Sequence, residues 1–265
     1  MLTSLLLYVV LGAFAGVLAG LLGIGGGLVI VPLLTFSFTW QGVPHEHILH
    51  MALGTSLATI IFTSLSSMRA HHGRGAVDWS AFWRVTPGIL TGTFLGAWIA
   101  AQLPTNILKG FFGIFLYYVS YQMLLGKKPS ASRELPGATG MFGAGNVIGV
   151  VSSLVGIGGG TLSVPFLTWC NMAIHRAIGT AAAIGLPIAI SGTLGYFVNG
   201  IGVEGRPDWS LGYIYLPAMV GIVSMSVLTA PFGAKLAHSL PVATLKKFFA
   251  LLLFVVGTRM LWSLL

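Results

Sequence analysis

Charge is what this sequence most conspicuously lacks. Only 7% of its 265 residues are charged, while 55% are hydrophobic and the mean hydropathy is +0.92. A soluble domain carries about 25% charged residues, so a water-solvated globule is excluded. Acid is scarcer still. The five carboxylates, Glu46, Asp78, Glu134, Glu204 and Asp208, each fall in a predicted loop or at the end of an apolar run. No carboxylate is therefore expected within the membrane as a cation site or proton relay, which argues against a cation pump and for an anion or a neutral solute. The single cysteine, Cys170, cannot form an internal disulfide. Short alternating strands are absent, which excludes a β-barrel. No convincing small-residue cleavage pattern follows the first apolar run, so that run reads as a mature helix rather than a signal peptide. The formal charge of +8 comes without an aromatic-basic stripe or a nucleic-acid motif, so no nucleic-acid partner is implied.

What is present is length in apolar runs. Residues 2–22, 48–68, 82–101, 107–125, 176–198, 211–234 and 242–264 each approach or exceed the ~18 residues that cross ~30 Å of hydrocarbon as helix. The fold class expected is an all-α polytopic membrane protein with 8–10 transmembrane helices. Its basic residues cluster at run ends, as the positive-inside rule requires.

An internal repeat organises these runs. At an offset of 133, "GIGGG" at residues 23–27 falls on "GIGGG" at 156–160, and "PLLTF" at 32–36 falls on "PFLTW" at 165–169. "HMALGTS" at 50–56 then aligns with "HRAIGTA" at 175–181, "DWS" at Asp78 with "DWS" at Asp208, Pro87 with Pro217, and "LKGFF" with "LKKFF". The chain divides into a first transmembrane repeat (1–125), a polar cytoplasmic linker (126–137) and a second repeat (138–265). The segments after the glycines, 28–40 and 161–170, are too short to span comfortably at 1.5 Å per residue. If they nonetheless cross, each half has five spans. The repeats are then inverted, and only Lys109, Arg206 and Arg259 of the 13 basic residues lie outside. If they re-enter, each half has four spans and that charge bias weakens.

Adjacent glycines are costly in a membrane helix unless the freed backbone lines a cavity. Gly25, Gly26 and Gly27, with Gly158, Gly159 and Gly160, therefore read as breaks in discontinuous helices. Pro32 and Pro165 loosen the segments that follow. A break exposes a helix N-terminus whose N–H groups attract anions, and missing side chains let a ligand approach the backbone. The competing reading is close helix packing, which suits Gly16, Gly92 and Gly96 but calls for spacing of about four rather than adjacent glycines. A bulky residue at Gly26 or Gly159 is expected to abolish transport while sparing membrane insertion. Neither cluster is a P-loop, because no Lys-Ser/Thr follows.

Hydroxyls of Thr55, Ser56 and Thr180 are candidate ligands for an oxyanion, and His50 and His175 are candidate proton-linked groups, histidine being the side chain that titrates near neutrality. For Thr the alternative is a bond to its own helix carbonyl, and for His an interface cap. Arg176 is either an anion attractor or a topology charge. His45, Glu46, His47 and His50 resemble a metal cluster but meet no structural-zinc spacing, so no metal site is assigned. Both "DWS" motifs are expected to begin interfacial helices.

"GLLGIGGGLVIVPLL" and "SLVGIGGGTLSVPFL", each followed by a His-x-Ala-Leu/Ile-Gly-Thr helix, resemble the sulfite exporter TauE/SafE family of bacterial membrane transporters, over essentially the whole chain. The resemblance implies transport of small sulfur-containing or organic anions, such as sulfite, sulfoacetate or related sulfonates, across the cytoplasmic (inner) membrane. It points to the glycines and prolines named above as the substrate site. A secondary transporter working by alternating access is the expected function. A passive anion channel is the alternative, and a metal-ion transporter a lesser one. No nucleophile–base arrangement suggests an enzyme, and no cofactor is implied. The partners expected are a small anion and the lipid bilayer. A homodimer is compatible with the sequence.

Overall fold

The computed structural model describes residues 2–22, 26–125, 134–239 and 242–264. Among them are ten helices: α1 (Leu2–Leu22), α2 (Gly27–Trp40), α3 (His45–His72), α4 (Trp79–Gln102), α5 (Thr105–Leu125), α6 (Ala138–Val155), α7 (Gly160–Trp169), α8 (Ile174–Gly200), α9 (Leu216–Ser239) and α10 (Val242–Trp262). A small hairpin, β1 (Ser210–Leu211) and β2 (Ile214–Tyr215), precedes α9. Among the described residues four helices, α3, α5, α6 and α8, are long and apolar enough to cross a bilayer. The molecule is an all-α polytopic membrane protein. Large apolar side chains face outward along its flanks, among them Trp83, Ile114 and Phe232, as lipid contact allows.

Packing is reciprocal between the halves. α3 pairs with α8 at the centre and α5 with α10, while α1 lies along α9 and α4 along α6. The exchanged pairs are joined by glycine seams at about one-turn spacing. A Cβ on Gly12 would stand 2.6 Å from the Ile222 carbonyl, and one on Gly16 as close to that of Ser226. Their counterparts Gly145 and Gly149 meet the backbones of Val85 and Thr93 at 2.5 and 2.6 Å. Without side chains these backbones approach closely, which drives helix association where lipid supplies no hydrophobic force. Gly92 and Gly96 sit on the same α4–α6 seam. Gly145 and Gly149, which serve this packing, together with Gly140 and Gly143 dilute the apolarity of α6. That is why the search for apolar runs passed over it.

Where the halves differ in length, they differ largely by turns. α2 has 14 residues and α7 has 10, one turn fewer. Both end in the same way: Gly42 and Asn171 adopt φ of 74° and 61°, and the next residues, Val43 and Met172, donate back to Phe38 and Leu167 at 3.0 Å. The second "DWS" departs from the expectation. Asp78 caps α4 by accepting from Ala81 N at 3.0 Å, whereas Asp208 leads into the β-hairpin and α9 begins only at Leu216. The hairpin is extra chain in the second half. Asp78 therefore corresponds to Tyr215 in space, not to Asp208, and Pro217 stands at the start of α9 while Pro87 lies well inside α4.

Candidate functional site

The two glycine clusters meet. α6 ends at Gly156, whose φ of 66° is a conformation that side chains disfavour. Gly158 and Gly159 follow, and α7 begins at Gly160. On the other side Gly26, with φ of 73°, precedes α2. Gly27 packs directly on the Gly156 carbonyl, with Ile157 Cα 3.0 Å from where its Cβ would be. Ser56 of α3 donates to that same carbonyl at 2.8 Å. Ile60, one turn on, touches both sides, within 3.2 Å of a Cβ on Gly27 and 3.4 Å of one on Gly158. Gly25 lies outside the described residues.

The breaks differ in what they leave unpaired. Neither α2 nor α7 has a side-chain cap. At the first, Val29 and Ile30 both donate to the Gly26 carbonyl at 3.0 Å, and the N–H groups of Gly27 and Leu28 have no acceptor among the described residues. At the second, the first backbone bond is Ser163 N to Gly159 O at 2.9 Å, so the N–H groups of 158–162 have no acceptor among the described residues. This stretch is buried apart from the half-buried Gly160 and Leu162. The hydroxyls of Thr161 and Ser163 are also buried and unpartnered, as is that of Ser152 at the end of α6. Helical side chains lean toward the N-terminus, which carries the Thr161 and Ser163 hydroxyls toward the break. Buried donors without acceptors are costly and rare. Here they form a concentrated set with the positive end of α7 behind them, and with no carboxylate on the break. Such a set is suited to an anion.

Pro32 and Pro165 each stand sixth in their helices, and each removes a donor from the carbonyl four residues back, that of Leu28 or Thr161. Thr55 and Thr180, buried repeat counterparts, are engaged with backbone: Thr55 accepts from Tyr215 N and Thr180 from Asp78 N, both at 2.9 Å. The preceding Gly54 and Gly179 lie against Tyr213 and Ala76. Each Gly-Thr pair thus holds the connector entering α9 or α4. The histidines diverge. His50 is buried, its ring nitrogens 3.0 Å from the carbonyls of Glu46 and Ala100, and Tyr213 stacks on it at 5.2 Å. His175 is exposed. Arg176 pairs with Asp78 at 2.9 Å. The side chains of the histidine-rich turn separate, His45 to Asn106 and His47 to Glu46.

Gly159 is a poor place to test ligand binding. A Cβ there would stand 2.5 Å from the Ala181 carbonyl, so a valine breaks packing whether or not a ligand binds. At Gly26 the positive φ imposes strain in the same way. Gly158 has open space beyond Ile60. The sequence reading missed Thr161, Ser163 and Ser152. Reading the two copies for their differences would have found the first two, because "GGGTLS" stands where the other half has "GGGLVI".

Family membership follows from comparison over this whole framework. The family model described as "Sulfite exporter TauE/SafE" matches residues 8–260, which takes in both breaks and all the central helices. The chain belongs to the TauE/SafE family. A probable membrane transporter protein of Haemophilus influenzae is 42% identical to this TauE/SafE member, over 98% of this chain and 99% of its own length. A probable membrane transporter protein of Methanocaldococcus jannaschii is 28% identical over 96% and 94%. The probable membrane transporter protein YunE of Bacillus subtilis is 26% identical over 98% of each chain. No solved structure matches. This TauE/SafE chain is thus an integral membrane protein of a transporter family, and its glycine breaks lie within the matched region.

Proposed function

We propose that the chain is a secondary transporter of small sulfur-containing or organic anions, such as sulfite, sulfoacetate or related sulfonates, across the cytoplasmic membrane. It would work by alternating access, as two inverted repeats that rock about a site between them. Exchange of α1 and its counterpart α6 between the halves supports such a rocking unit, since α1 is seated on α9 and α6 on α4. The observation that carries the anion reading is the second break: a run of unpaired backbone N–H groups with the buried, unpartnered hydroxyls of Thr161 and Ser163. An oxyanion would supply the acceptors that the protein withholds.

The test is thermal stabilisation of the purified chain by sodium sulfite, sulfate, thiosulfate, sulfoacetate, taurine and lactate, because a ligand that prefers the folded state raises the melting point. A shift with a sulfur oxyanion is expected, and Thr161→Val combined with Ser163→Ala should weaken it roughly 100-fold in ligand concentration, about tenfold per lost bond to a charged ligand. The unliganded melting point of that variant should stay or rise, because it loses unpaired buried hydroxyls. Stabilisation by none of these anions, or an unchanged response in the double variant, would remove the assignment.

A further inference from the structure

We infer that Ser64, a residue of the first half, supplies a ligand to the second-half anion site, and that Gly185, by carrying no side chain, lets that hydroxyl reach the break. This rests on the anion reading above and deepens it. The neighbouring hydroxyls of α3 are occupied: Ser56 donates to Gly156, Thr59 to the Ser56 carbonyl at 2.7 Å and Thr63 to the Ile60 carbonyl at 3.3 Å. Ser64 is 7% exposed and makes no hydrogen bond among the described residues. Its Oγ borders the place where Gly185 of α8 has no side chain. A Cβ on Gly185 would stand 2.6 Å from Ser64 Oγ and 3.4 Å from the backbone nitrogen of Gly159. A hydroxyl from α3 and an unpaired N–H of the break therefore both lie against the bare Cα of Gly185, the hydroxyl closer than a methyl there would allow.

The repeat explains why this glycine stands on one side only. In the register that pairs Gly54 and Thr55 with Gly179 and Thr180, the counterpart of Gly185 is Ile60. Ile60 is fully buried and fills the corresponding position beside Gly27. The second break thus has a bare glycine and a spare donor where the first has an isoleucine. An anion with three oxygens can accept from the loop N–H groups and from Ser64 at the same time. The site carries no Lys or Arg, so discrimination comes from the placement of neutral donors.

The experiment is calorimetric titration of sodium sulfite and of sodium methanesulfonate into the full chain, with Ser64→Ala and Gly185→Ala. Ser64→Ala should weaken both ligands about tenfold, as expected for one bond to a charged group, with the unliganded melting point unchanged or raised. Gly185→Ala comes within 3.0 Å only of the end of the Ser64 side chain and should fold, yet its methyl pushes the Ser64 hydroxyl away from the break and weakens binding at least tenfold. If Gly185→Ala fails to fold, Ser64→Ala alone decides. Wild-type binding that both folded variants keep overturns this inference and leaves the anion site standing. Absence of wild-type binding overturns the anion site, and this inference with it.

Discussion

The first and second glycine breaks share a motif and a proline but not a chemistry. After Gly27 the chain continues with Leu28, Val29, Ile30 and Val31, all buried, and Ile60 closes the space beside them. After Gly160 it continues with Thr161 and Ser163, and Gly185, the counterpart of Ile60, brings no side chain, so Ser64 Oγ lies against it. The duplicated backbone supplies two buried helix starts, with Gly27 of the first packed on Gly156 and Ile157 of the second. The side chains then assign one to packing and the other to donors. A doubled scaffold therefore need not mean a doubled site. The unpaired-donor inventory favours a single anion held at the second break, with the first break as the surface against which Gly156 is fixed.

The most disruptive way to challenge that contrast is to exchange the side chains. Leu28→Thr with Ile30→Ser gives the first break the polar pattern of the second. Both residues are almost fully buried, so each change removes apolar packing and adds a hydroxyl beside Ile60. A cost of about 2–4 kcal/mol for each is expected in a reversible unfolding titration. No second anion equivalent should appear by calorimetry, because Ile60 still occupies the space. If the graft is neutral and binds a second anion, the asymmetry lies elsewhere than in these side chains.

A milder test uses the two histidines, which the repeat makes equivalent and the fold does not. His50→Ala removes a ring between two carbonyls and Tyr213, so a loss of about 1–3 kcal/mol is expected. His175→Ala alters an exposed side chain and should stay within about 0.5 kcal/mol. Equal effects in unfolding titrations would mean that burial is not what separates them.

Much of this architecture was legible. Hydropathy marked most of the helices, and the repeated GIGGG with its proline marked both breaks, because a glycine cluster in apolar sequence has few uses. The helix that escaped, α6, was hidden by the same glycines that let it lie on α4. The "DWS" pairing misled because sequence identity at Asp208 is local. The hairpin after it moves the start of α9 onward, and only the backbone reveals that Tyr215 takes the place of Asp78. The hydroxyls of Thr55 and Thr180 looked like ligands for the same reason: sequence places a threonine on a helix but not the connector N–H that it accepts. Thr161 and Ser163 were in plain view within the motif. Their significance depends on the absence of acceptors, which no pattern of residues records.

The smallest effects expected are at the connectors, where the halves solve one problem in two ways. Before α9 a hairpin stacks Tyr213 on His50. Before α4 Asp78 does the work, capping Ala81 N and pairing with Arg176, which is 57% exposed. Asp78→Asn keeps a capping oxygen and loses only the ion pair, so it should cost no more than about 0.5 kcal/mol, and less as salt is raised. Asp78→Ala loses the cap as well and should cost about 1 kcal/mol more, largely independent of salt. If Asn and Ala cost the same in unfolding titrations at low and high salt, the ion pair, not the cap, fixes this connector. The first half would then depend on charge where the second depends on aromatic packing.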